Sequence, residues 1–400
     1  MKKLLSGVAI AFALVLVAML GLSRYKGAML QGSGGRAIGY SGHTHEWLFG
    51  EYPTFPARRD GPYVLINGNE RTALALEPRV DAEAVAVRTP VTSRVQVMVD
   101  DAAQTRFDVP LRADHPRPRL HWPMPERLLA ISDLEGDFGA ATGLLRAQGV
   151  VDEALHWRFG TGHLVLLGDM VDRGDNVVPL LWLLYRLEGE ARAAGGAVHY
   201  LLGNHEIYLL QGRPGSAHHK YYGTARVSGV DYGELWSERT ELGRWLRSKP
   251  VLVQVGDTLF THGGISPEAL ALDLDLEAID AQAARHADAT RPADDPDAVV
   301  IQGRNGLPWY RGMARGDEDA PMAGNAHVDA VLAHFGARHV AIGHTLATHV
   351  GHTHGGRVLR TDVHHAGGVH EGLLFAGGAW WRVDAAGMRV PLAATANLRD

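Results

Sequence analysis

The stretch His163-Leu-Val-Leu-Leu-Gly-Asp-Met-Val-Asp-Arg-Gly174 decides how this chain is organised. Its uninterrupted apolar run, Leu164 to Leu167, has the length and composition of a β-strand that is buried on both faces. The chain must turn at Gly168, and two carboxylates and a guanidinium follow within five residues. Open α/β sheets carry their chemistry at the carboxyl ends of such strands. The stretch therefore predicts a site in which carboxylates bind a cation and an arginine fork holds a phosphate.

The composition is that of a soluble globular protein without thiol chemistry. The chain has 400 residues, enough for one large domain or two ordinary ones, and is 46% hydrophobic and 21% charged. A net charge of −6 gives no basic surface for nucleic acid, so no nucleic-acid partner is expected. Because cysteine is absent, disulfides, thiolate metal sites and a cysteine nucleophile are excluded. Any metal site must therefore use Asp, Glu, Asn and the 22 histidines.

Residues 1–26 have the pattern of an export signal or a membrane anchor. Lys2 and Lys3 precede an uncharged apolar run from Leu4 to Leu22. That length is close to the roughly twenty residues needed to span a bilayer, and no clear Ala-x-Ala cleavage site follows. We expect an exported, periplasmic protein whose N-terminal segment interacts with the membrane and tethers it to the inner membrane. A cleaved signal peptide is the alternative.

The rest of the chain divides into three parts by pattern. Residues 27–62 are rich in glycine and turn formers and are typical of a linker. Residues 63–112 alternate short β-type runs with turn signals, which predicts a small antiparallel β element. Beyond a proline-rich connector, residues 127–384 show strands followed by helices, the pattern of an α/β domain.

Ligand-type side chains follow five predicted strands of that domain. They are Asp133 with Glu135, Asp169 with Asp172 and Arg173, Asn204 with His205, His262, and His344. Carboxylate, imidazole and amide oxygen together suit divalent ions such as Mn, Zn or Fe. Two ions roughly 3.5–4 Å apart can clamp the attacking and leaving oxygens of a phosphoryl displacement and activate water, so no side-chain nucleophile is required. Asp169, after the most apolar strand, is the natural carboxylate to bridge both ions.

The motifs resemble those of a known family. Gly168-Asp-Met-Val-Asp-Arg-Gly174 and Gly203-Asn-His-Glu206 are similar to the signature motifs of the calcineurin-like metallophosphoesterases. The Asp-Arg-Gly ending, and the spacing to His262-Gly-Gly264 and Gly343-His344, resemble the branch of Ser/Thr protein phosphatases and diadenosine tetraphosphate hydrolases. Gly306-Leu-Pro-Trp-Tyr-Arg-Gly312 resembles a segment of the bacterial Shewanella-like protein phosphatases.

The resemblance covers residues 127–384 and implies a fold, cofactors and roles. The fold would be a four-layer α/β/β/α metallophosphoesterase sandwich, with the small N-terminal β element outside the resemblance. The cofactors would be two divalent ions, Mn foremost, with Zn, Fe or Mg as alternatives. The implied roles are Asp133 on the first ion, Asp169 as bridge, Asn204, His262 and His344 on the second ion, His205 polarised by Asp172 as general acid, and Arg173 with Arg311 on the phosphate oxygens.

One position departs from the family pattern. The first motif is usually Asp-x-His-Gly, and this chain has Asp133-Leu-Glu-Gly136. Glutamate is a competent ligand, and its hard oxygen favours Mn or Mg over Fe or Zn. We expect Glu135 to bind the first ion; the alternative is a carboxylate behind the ligands, with water in its coordination place.

The expected activity is hydrolysis of phosphomonoesters, with phosphoserine or phosphothreonine in protein as the favoured substrate. The alternatives are a nucleotide or dinucleoside polyphosphate hydrolase and an inactive scaffold of the same fold. Among the remaining histidines, His352 and His354 resemble a metal-binding pair, but we expect them at a turn and favour His344 as the ligand. His364, His365 and His370 are expected in a surface loop.

Overall fold

The structure is a computed structural model that describes residues 29–31, 36–41, 46–51, 57–80, 82–288, 298, 303–315 and 321–392. Residues 1–26, predicted as a signal or anchor, lie outside these ranges. Among the described residues, no helix combines the length and the hydropathy needed to cross a bilayer.

The N-terminal part of the described chain is all β. Three short strands pair in an antiparallel sheet within the stretch predicted as linker: β1 (Met29–Gln31), β2 (Arg36–Ser41) and β3 (Glu46–Glu51). A second antiparallel sheet and a hairpin follow: β4 (Asp60–Asn67), β5 (Glu70–Arg79) and β6 (Ala82–Pro90), then β7 (Arg94–Met98) with β8 (Arg106–Pro110).

Two six-stranded mixed sheets form the centre of the molecule. The first has the order β12-β11-β10-β18-β19-β20, with β10 (Arg127–Ile131), β11 (His163–Leu166), β12 (Ala197–Tyr200), β18 (Glu371–Ala376), β19 (Ala379–Asp384) and β20 (Arg389–Pro391). The second has the order β16-β17-β15-β14-β13-β9, with β9 (His121–Trp122), β13 (Leu252–Val255), β14 (Thr258–Thr261), β15 (His339–Ile342), β16 (Gly351–Thr353) and β17 (Val358–Arg360). The closing strands divide between the two sheets: β17 pairs with β15 in the second sheet, whereas β18, β19 and β20 pair antiparallel in the first.

Eight α-helices lie in the described part of the α/β region. They are α1 (Phe138–Ala147), α2 (Val177–Ala193), α3 (Asn204–Leu210), α4 (Lys220–Ser228), α5 (Glu241–Arg247), α6 (Pro267–Leu270), α7 (Leu276–His286) and α8 (Asn325–Phe335). Helix α2 contacts β12 of the first sheet, and α7 contacts β13 of the second. The helices thus cover the outer faces of the two sheets and complete the expected four-layer α/β/β/α sandwich.

Strand β11 shows why the sheets stack. Successive side chains of a strand point to opposite faces. Leu164 and Leu166 accordingly belong to the core that includes the helices, whereas Val165 and Leu167 pack with Phe260 in the cluster between the two sheets. All of β11 is buried, as expected for a strand covered on both faces.

The small β element is joined to the main core. The Phe107 ring of β8 stacks on Phe138 of α1 with a centroid separation of 6.2 Å. The indole Nε1 of Trp182 in α2 donates a hydrogen bond of 2.8 Å to the Pro62 carbonyl of β4. These contacts bury one face of the element against the layer of helices that supports the first sheet.

Candidate metal centre and active site

The carboxyl ends of strands from both sheets meet at one edge of the sandwich. The backbone N–H of Asp133, after β10, donates to the Gly168 carbonyl at 3.0 Å, and that of Gly343, after β15, donates to the His262 carbonyl at 2.8 Å. As a result, donor atoms of Asp169, His262 and His344 lie within 4.8 Å of one another, and all three residues are buried. The topology thus brings together side chains that are up to 175 positions apart in sequence.

Most of the candidate residues on these loops have left-handed backbone conformations. The φ angles are 54° at Asp133, 48° at Glu135, 56° at Asp169, 68° at Asp172, 54° at Arg173 and 61° at His344. Such conformations cost about 1 kcal/mol or more for a residue with a side chain and persist only where the surrounding structure holds them. Here they turn each side chain back over the strand end, towards the shared edge.

Two glycines allow the loops to approach closely. A Cβ atom on Gly203 would lie 2.2 Å from the Asp169 carboxylate, and one on Gly343 would lie 2.6 Å from the Asp133 carboxylate. Neither distance is possible for a real side chain, so glycine is required at both motif positions.

His262 lies among oxygen atoms that can only accept hydrogen bonds or bind a cation. Its Nδ1 must donate to the Leu167 carbonyl, 2.7 Å away, and its Nε2 faces Asp169 Oδ2 and Asn204 Oδ1, each at 3.1 Å. Although burial opposes the charged imidazolium, the carboxylate of Asp169 raises the pKa of His262 to about 10. Without an ion, a proton on Nε2 takes the place that a cation would occupy among these three donors. The donor set therefore fits a divalent ion.

His344 has the opposite protonation. Its Nε2 donates to the Trp309 carbonyl at 3.0 Å, which leaves Nδ1 as the nitrogen with a lone pair. Burial and the charge of His262 lower the pKa of His344 well below its usual value. A neutral imidazole with an available lone pair is the form that binds a metal.

Asp169 is held as a carboxylate at the centre of the group. Its Oδ1 accepts the His205 backbone N–H at 2.9 Å, while its Oδ2 faces His262. Although burial opposes ionisation, the neighbouring His262 and His205 hold the pKa of Asp169 well below its usual range. The sharing of Asp169 between two ions stays a prediction.

Glu206 is a buried brace under the site. Its carboxylate accepts hydrogen bonds of 2.8 Å from the backbone N–H groups of Asp169, Met170 and Gly203 and from the Tyr200 hydroxyl. It thereby ties the loop after β11 to the loop that begins α3. With all four of these hydrogen bonds inside the fold, Glu206 has a structural role.

His205 and Asp172 form the expected pair. His205 Nδ1 and Asp172 Oδ2 are 2.8 Å apart, so Nδ1 donates and Nε2 is left facing outward. Burial opposes protonation, but the carboxylates of Asp169 and Asp172 raise the pKa of His205 above its ordinary value. A protonated His205 is the form needed by a general acid.

Both candidate arginines reach this edge. Arg173 has an Nη2 3.4 Å from His205 Nε2, and Arg311 donates from Nη1 to the His344 carbonyl at 2.5 Å. Arg173 also forms an ion pair with Glu135, so the carboxylate expected on the first ion is directed towards a guanidinium. Asp133, the other first-ion candidate, accepts the His344 backbone N–H at 3.0 Å.

Sequence reasoning missed Asp362. This aspartate follows β17 and is buried, with 6% of its surface exposed. Burial and the charges of Asp133 and Asp169 raise the pKa of Asp362 well above its usual value. The signal that applied to the other strands, an apolar run followed by a carboxylate, is present in Val358-Leu359-Arg360-Thr361-Asp362, but the run has only two apolar residues and is too short to predict a buried strand.

The histidines set aside from sequence lie elsewhere. His352 is buried within β16 rather than at a turn, and only His354 starts a short 3₁₀ helix. The expectation of a surface loop is wrong for His365, which is 3% exposed because the segment folds back beside Ser132.

Comparison with known proteins agrees with this geometry. Residues 126–348 match the family model of the calcineurin-like phosphoesterases. The crystal structure of the cold-active protein-tyrosine phosphatase of a psychrophilic Shewanella species superposes with a TM-score of 0.77 and 30% sequence identity, covering 84% of this chain and 100% of that one.

Curated relatives match over shorter ranges. Shewanella-like protein phosphatase 2 of Arabidopsis thaliana is 31% identical over 124 residues, which is 31% of this chain and 30% of the relative. The symmetrical bis(5'-nucleosyl)-tetraphosphatase of Neisseria gonorrhoeae is 31% identical over 141 residues, 35% of this chain and 44% of the relative. The chain thus spans less than half the length of either. The family model covers more than half of the chain, and with the matching fold it shows that this chain belongs to the calcineurin-like phosphoesterases, a family of metal-dependent hydrolases.

Proposed function

We propose that the chain hydrolyses phosphomonoesters with two divalent ions, of which Mn²⁺ is the favoured species. The observation that carries the proposal is the convergence of Asp169, Asn204 and His262 oxygen and nitrogen donors beside His205, whose pKa is raised by the carboxylates of Asp169 and Asp172. Asp169, Asn204, His262 and His344 would hold one ion, and Asp133 with Asp169 and Glu135 the other. Bound there, the ions would supply Lewis acidity and a lowered pKa for water.

The chain's own residues then orient the phosphate and move a proton. Arg173 and Arg311 enter the site from opposite loops, where two guanidinium forks can hold oxygens that are not transferred. Asp172 accepts the Nδ1 proton of His205 and stabilises the imidazolium, the form in which Nε2 also carries a proton and can deliver it to the departing oxygen. Negative charge that develops on the phosphoryl group would thus be stabilised by guanidinium groups that are already in place before the substrate binds.

We propose a phosphorylated protein side chain as the substrate. The names of the Shewanella and Arabidopsis relatives support a protein phosphatase. Aromatic side chains flank the general acid: the Tyr208 ring lies 6.0 Å from that of His205 and 6.1 Å from that of Trp309. Such a surface suits phosphotyrosine, whereas the motifs favoured phosphoserine or phosphothreonine, so all three belong in the test.

A dinucleoside polyphosphate is the second candidate. The tetraphosphatase relative supports it, and the same aromatic rings could stack on a nucleobase. Export from the cytoplasm, expected from residues 1–26, argues against a nucleotide substrate.

A substrate panel tests the proposal. The purified chain is assayed with Mn²⁺ on para-nitrophenyl phosphate, phosphoserine, phosphothreonine and phosphotyrosine peptides, and diadenosine tetraphosphate. Turnover of the aryl ester and a peptide with little turnover of the dinucleotide is expected. His205→Gln should lose activity at least about 100-fold on peptides, while the surface variant His156→Gln serves as the matched control. Absence of turnover on every substrate with Mn²⁺ bound would leave an inactive scaffold.

The role of Glu135 has its own test. If this carboxylate binds the first ion, as the sequence predicts, Glu135→Gln lowers both the Mn²⁺ content and kcat. If it only pairs with Arg173, the metal content stays at the native level and KM for the phosphoester changes instead.

We further propose that residues 1–26 tether the protein to the inner membrane, facing the periplasm. The support is the sequence pattern Lys2-Lys3 followed by an uncharged run. Fractionation of cells that produce the full chain, with N-terminal sequencing of the membrane-bound protein, should recover an intact Met1; an N-terminus beyond residue 22 in the soluble fraction would mean a cleaved signal.

A further inference from the structure

We propose that Asp362 is a ligand of the first metal ion, in addition to Asp133 and Asp169. This inference rests on the two-metal site of the proposed function. It concerns the side of the site where the first motif has glutamate instead of histidine.

Asp362 occupies the same kind of position as the other ligand candidates. It follows β17, whose neighbour in the second sheet is β15, the strand that leads to His344. The Thr361 backbone N–H donates to the Ile342 carbonyl at 2.9 Å, which continues the pairing of the two strands to their carboxyl ends. Asp362 therefore leaves the sheet at the edge where the site is built.

A direct contact ties this segment to the first motif. The Thr361 hydroxyl oxygen lies 2.9 Å from both the Ser132 hydroxyl and the Ile342 carbonyl, within hydrogen-bond distance of each. Ser132 immediately precedes Asp133, so the segment containing Asp362 and the segment containing Asp133 are fixed against each other. This bond crosses between the two sheets.

The carboxylate of Asp362 lies among both carboxylates and cations. Its charged neighbours include Asp133 and Asp169 on one side of the balance and His262, Arg173 and Arg311 on the other. Among the described residues, it forms no hydrogen bond and no ion pair within 4 Å, although only 6% of the residue is exposed. Burial and the neighbouring carboxylates of Asp133 and Asp169 both oppose a negative charge on Asp362. A hard divalent ion, which prefers carboxylate oxygens, would compensate that charge if it bound beside them.

The placement of Glu135 strengthens the assignment. Its carboxylate is paired with Arg173, and Arg173 is the guanidinium nearest the general acid. While Glu135 pairs with Arg173, only Asp133 and Asp169 of the three ligands proposed for the first ion are left to bind it. Asp362 supplies a third oxygen donor from the opposite sheet.

Metal binding, measured directly and not through enzyme activity, tests the proposal. The full chain, Asp362→Asn and the control Asp280→Asn are stripped with chelator and titrated with Mn²⁺, with calorimetry for affinity and elemental analysis for content. Asp280, on helix α7, is a matched control because it is similarly buried, with 5% of its surface exposed. Its carboxylate differs from that of Asp362 in accepting hydrogen bonds from Arg117. We expect two ions in the full chain and in the control, and a loss of at least tenfold in affinity for one ion in Asp362→Asn.

Thermal melting separates a ligand from a structural aspartate. In the metal-free protein at pH 8, Asp362→Asn should melt at the same temperature as the native chain or higher, because the substitution removes repulsion with Asp133 and Asp169. Saturating Mn²⁺ should raise the melting temperature of Asp362→Asn by less than it raises that of the native chain. Two ions bound with native affinity, or a metal-free variant that melts several degrees lower, would overturn the assignment.

The outcome is independent of the proposed reaction. A chain that binds two ions through Asp362 but hydrolyses no phosphoester would end the proposed function and leave this assignment standing. Asp362→Glu, which keeps the charge and moves it by one methylene, should bind the affected ion with intermediate affinity.

Discussion

Buried histidines in the two sheets differ in protonation. His262, at the carboxyl end of β14 in the second sheet, has a pKa raised to about 10. His163 and His199, within β11 and β12 of the first sheet, have pKa values lowered to about 4 and about 3. Burial does not explain the difference, since the exposed fractions are 0% for His262 and 5% for each of the other two.

The neighbours explain it. His262 faces the Asp169 carboxylate, whereas His163 and His199 face each other, with Nδ1 and Nε2 3.1 Å apart, and the edge of Trp122. Burial favours the neutral form in both sheets, and only a carboxylate at hydrogen-bond distance reverses it. Buried histidines are therefore a packed structural feature within the first sheet, at His163 and His199, and part of a candidate cation site after β14 of the second sheet, at His262.

Removing the Asp169 carboxylate should bring the pKa of His262 closer to those of His163 and His199. Asp169→Asn is expected to lower the pKa of His262 sharply and to reduce kcat about 100- to 1000-fold or more, because the site loses its central anionic ligand. Phosphatase assays and histidine NMR titration measure the two effects. An unchanged kcat in Asp169→Asn would show that the chemistry does not use this edge.

Removing the brace should weaken the candidate cation site without touching a ligand. Glu206→Gln replaces an acceptor by an amide that cannot accept from all four donors, so a loss of about 3 kcal/mol of unfolding free energy is expected. Tyr200→Phe, which deletes one of the four hydrogen bonds, should cost about 1 kcal/mol. Denaturant unfolding measures both, and equal losses in the two variants would contradict the bracing role.

The pair His163 and His199 should make the stability of the fold depend on pH. The folded pKa values of about 4 and about 3 lie below the ordinary value for histidine, so the unfolded chain binds more protons in acid and stability falls as pH drops from about 6.5 towards 4. Each such group removes about 2 kcal/mol between pH 7 and pH 5. His163→Leu/His199→Leu removes both titrating groups and should flatten this part of the stability curve relative to the native chain. A parallel curve would mean that the pair is already protonated in the fold.

The smallest expected effect concerns Arg119 and Trp122, which lie beside the pair His163 and His199. Arg119 stacks on Trp122 with its Cζ 3.6 Å from the ring centroid, and its charge helps to lower the pKa values of both histidines. Arg119→Ala should cost about 0.5–1 kcal/mol at pH 7 through the lost cation–π contact. At pH 5 the cost should shrink, because the histidines then accept protons more readily.

The motifs around Asp169 and Asn204 carried most of the prediction. An apolar run followed by glycine and ligand-type residues is a local pattern. The strands, the ligand-type residues that follow each strand and the candidate ligands could therefore be inferred from the sequence. His344 was preferred over His352 and His354 on the same local ground, and it is the one whose donor atom joins Asp169 and His262.

Other features depended on contacts between distant segments. The partner of Glu135 could not be inferred, because Arg173 meets it only through the left-handed turns of two separate loops. The burial of His365 and the place of Asp362 likewise follow from how the last strands divide between the two sheets.

By itself, the sequence determined which residues end the strands, and hence which side chains could act as metal ligands, general acid and phosphate clamp. Only the tertiary structure decided their state: which histidine is charged, which carboxylate is paired and which is left without a partner. The physical reason is that protonation and ion pairing depend on charges within a few ångströms, and in this fold those charges come from strands of two different sheets.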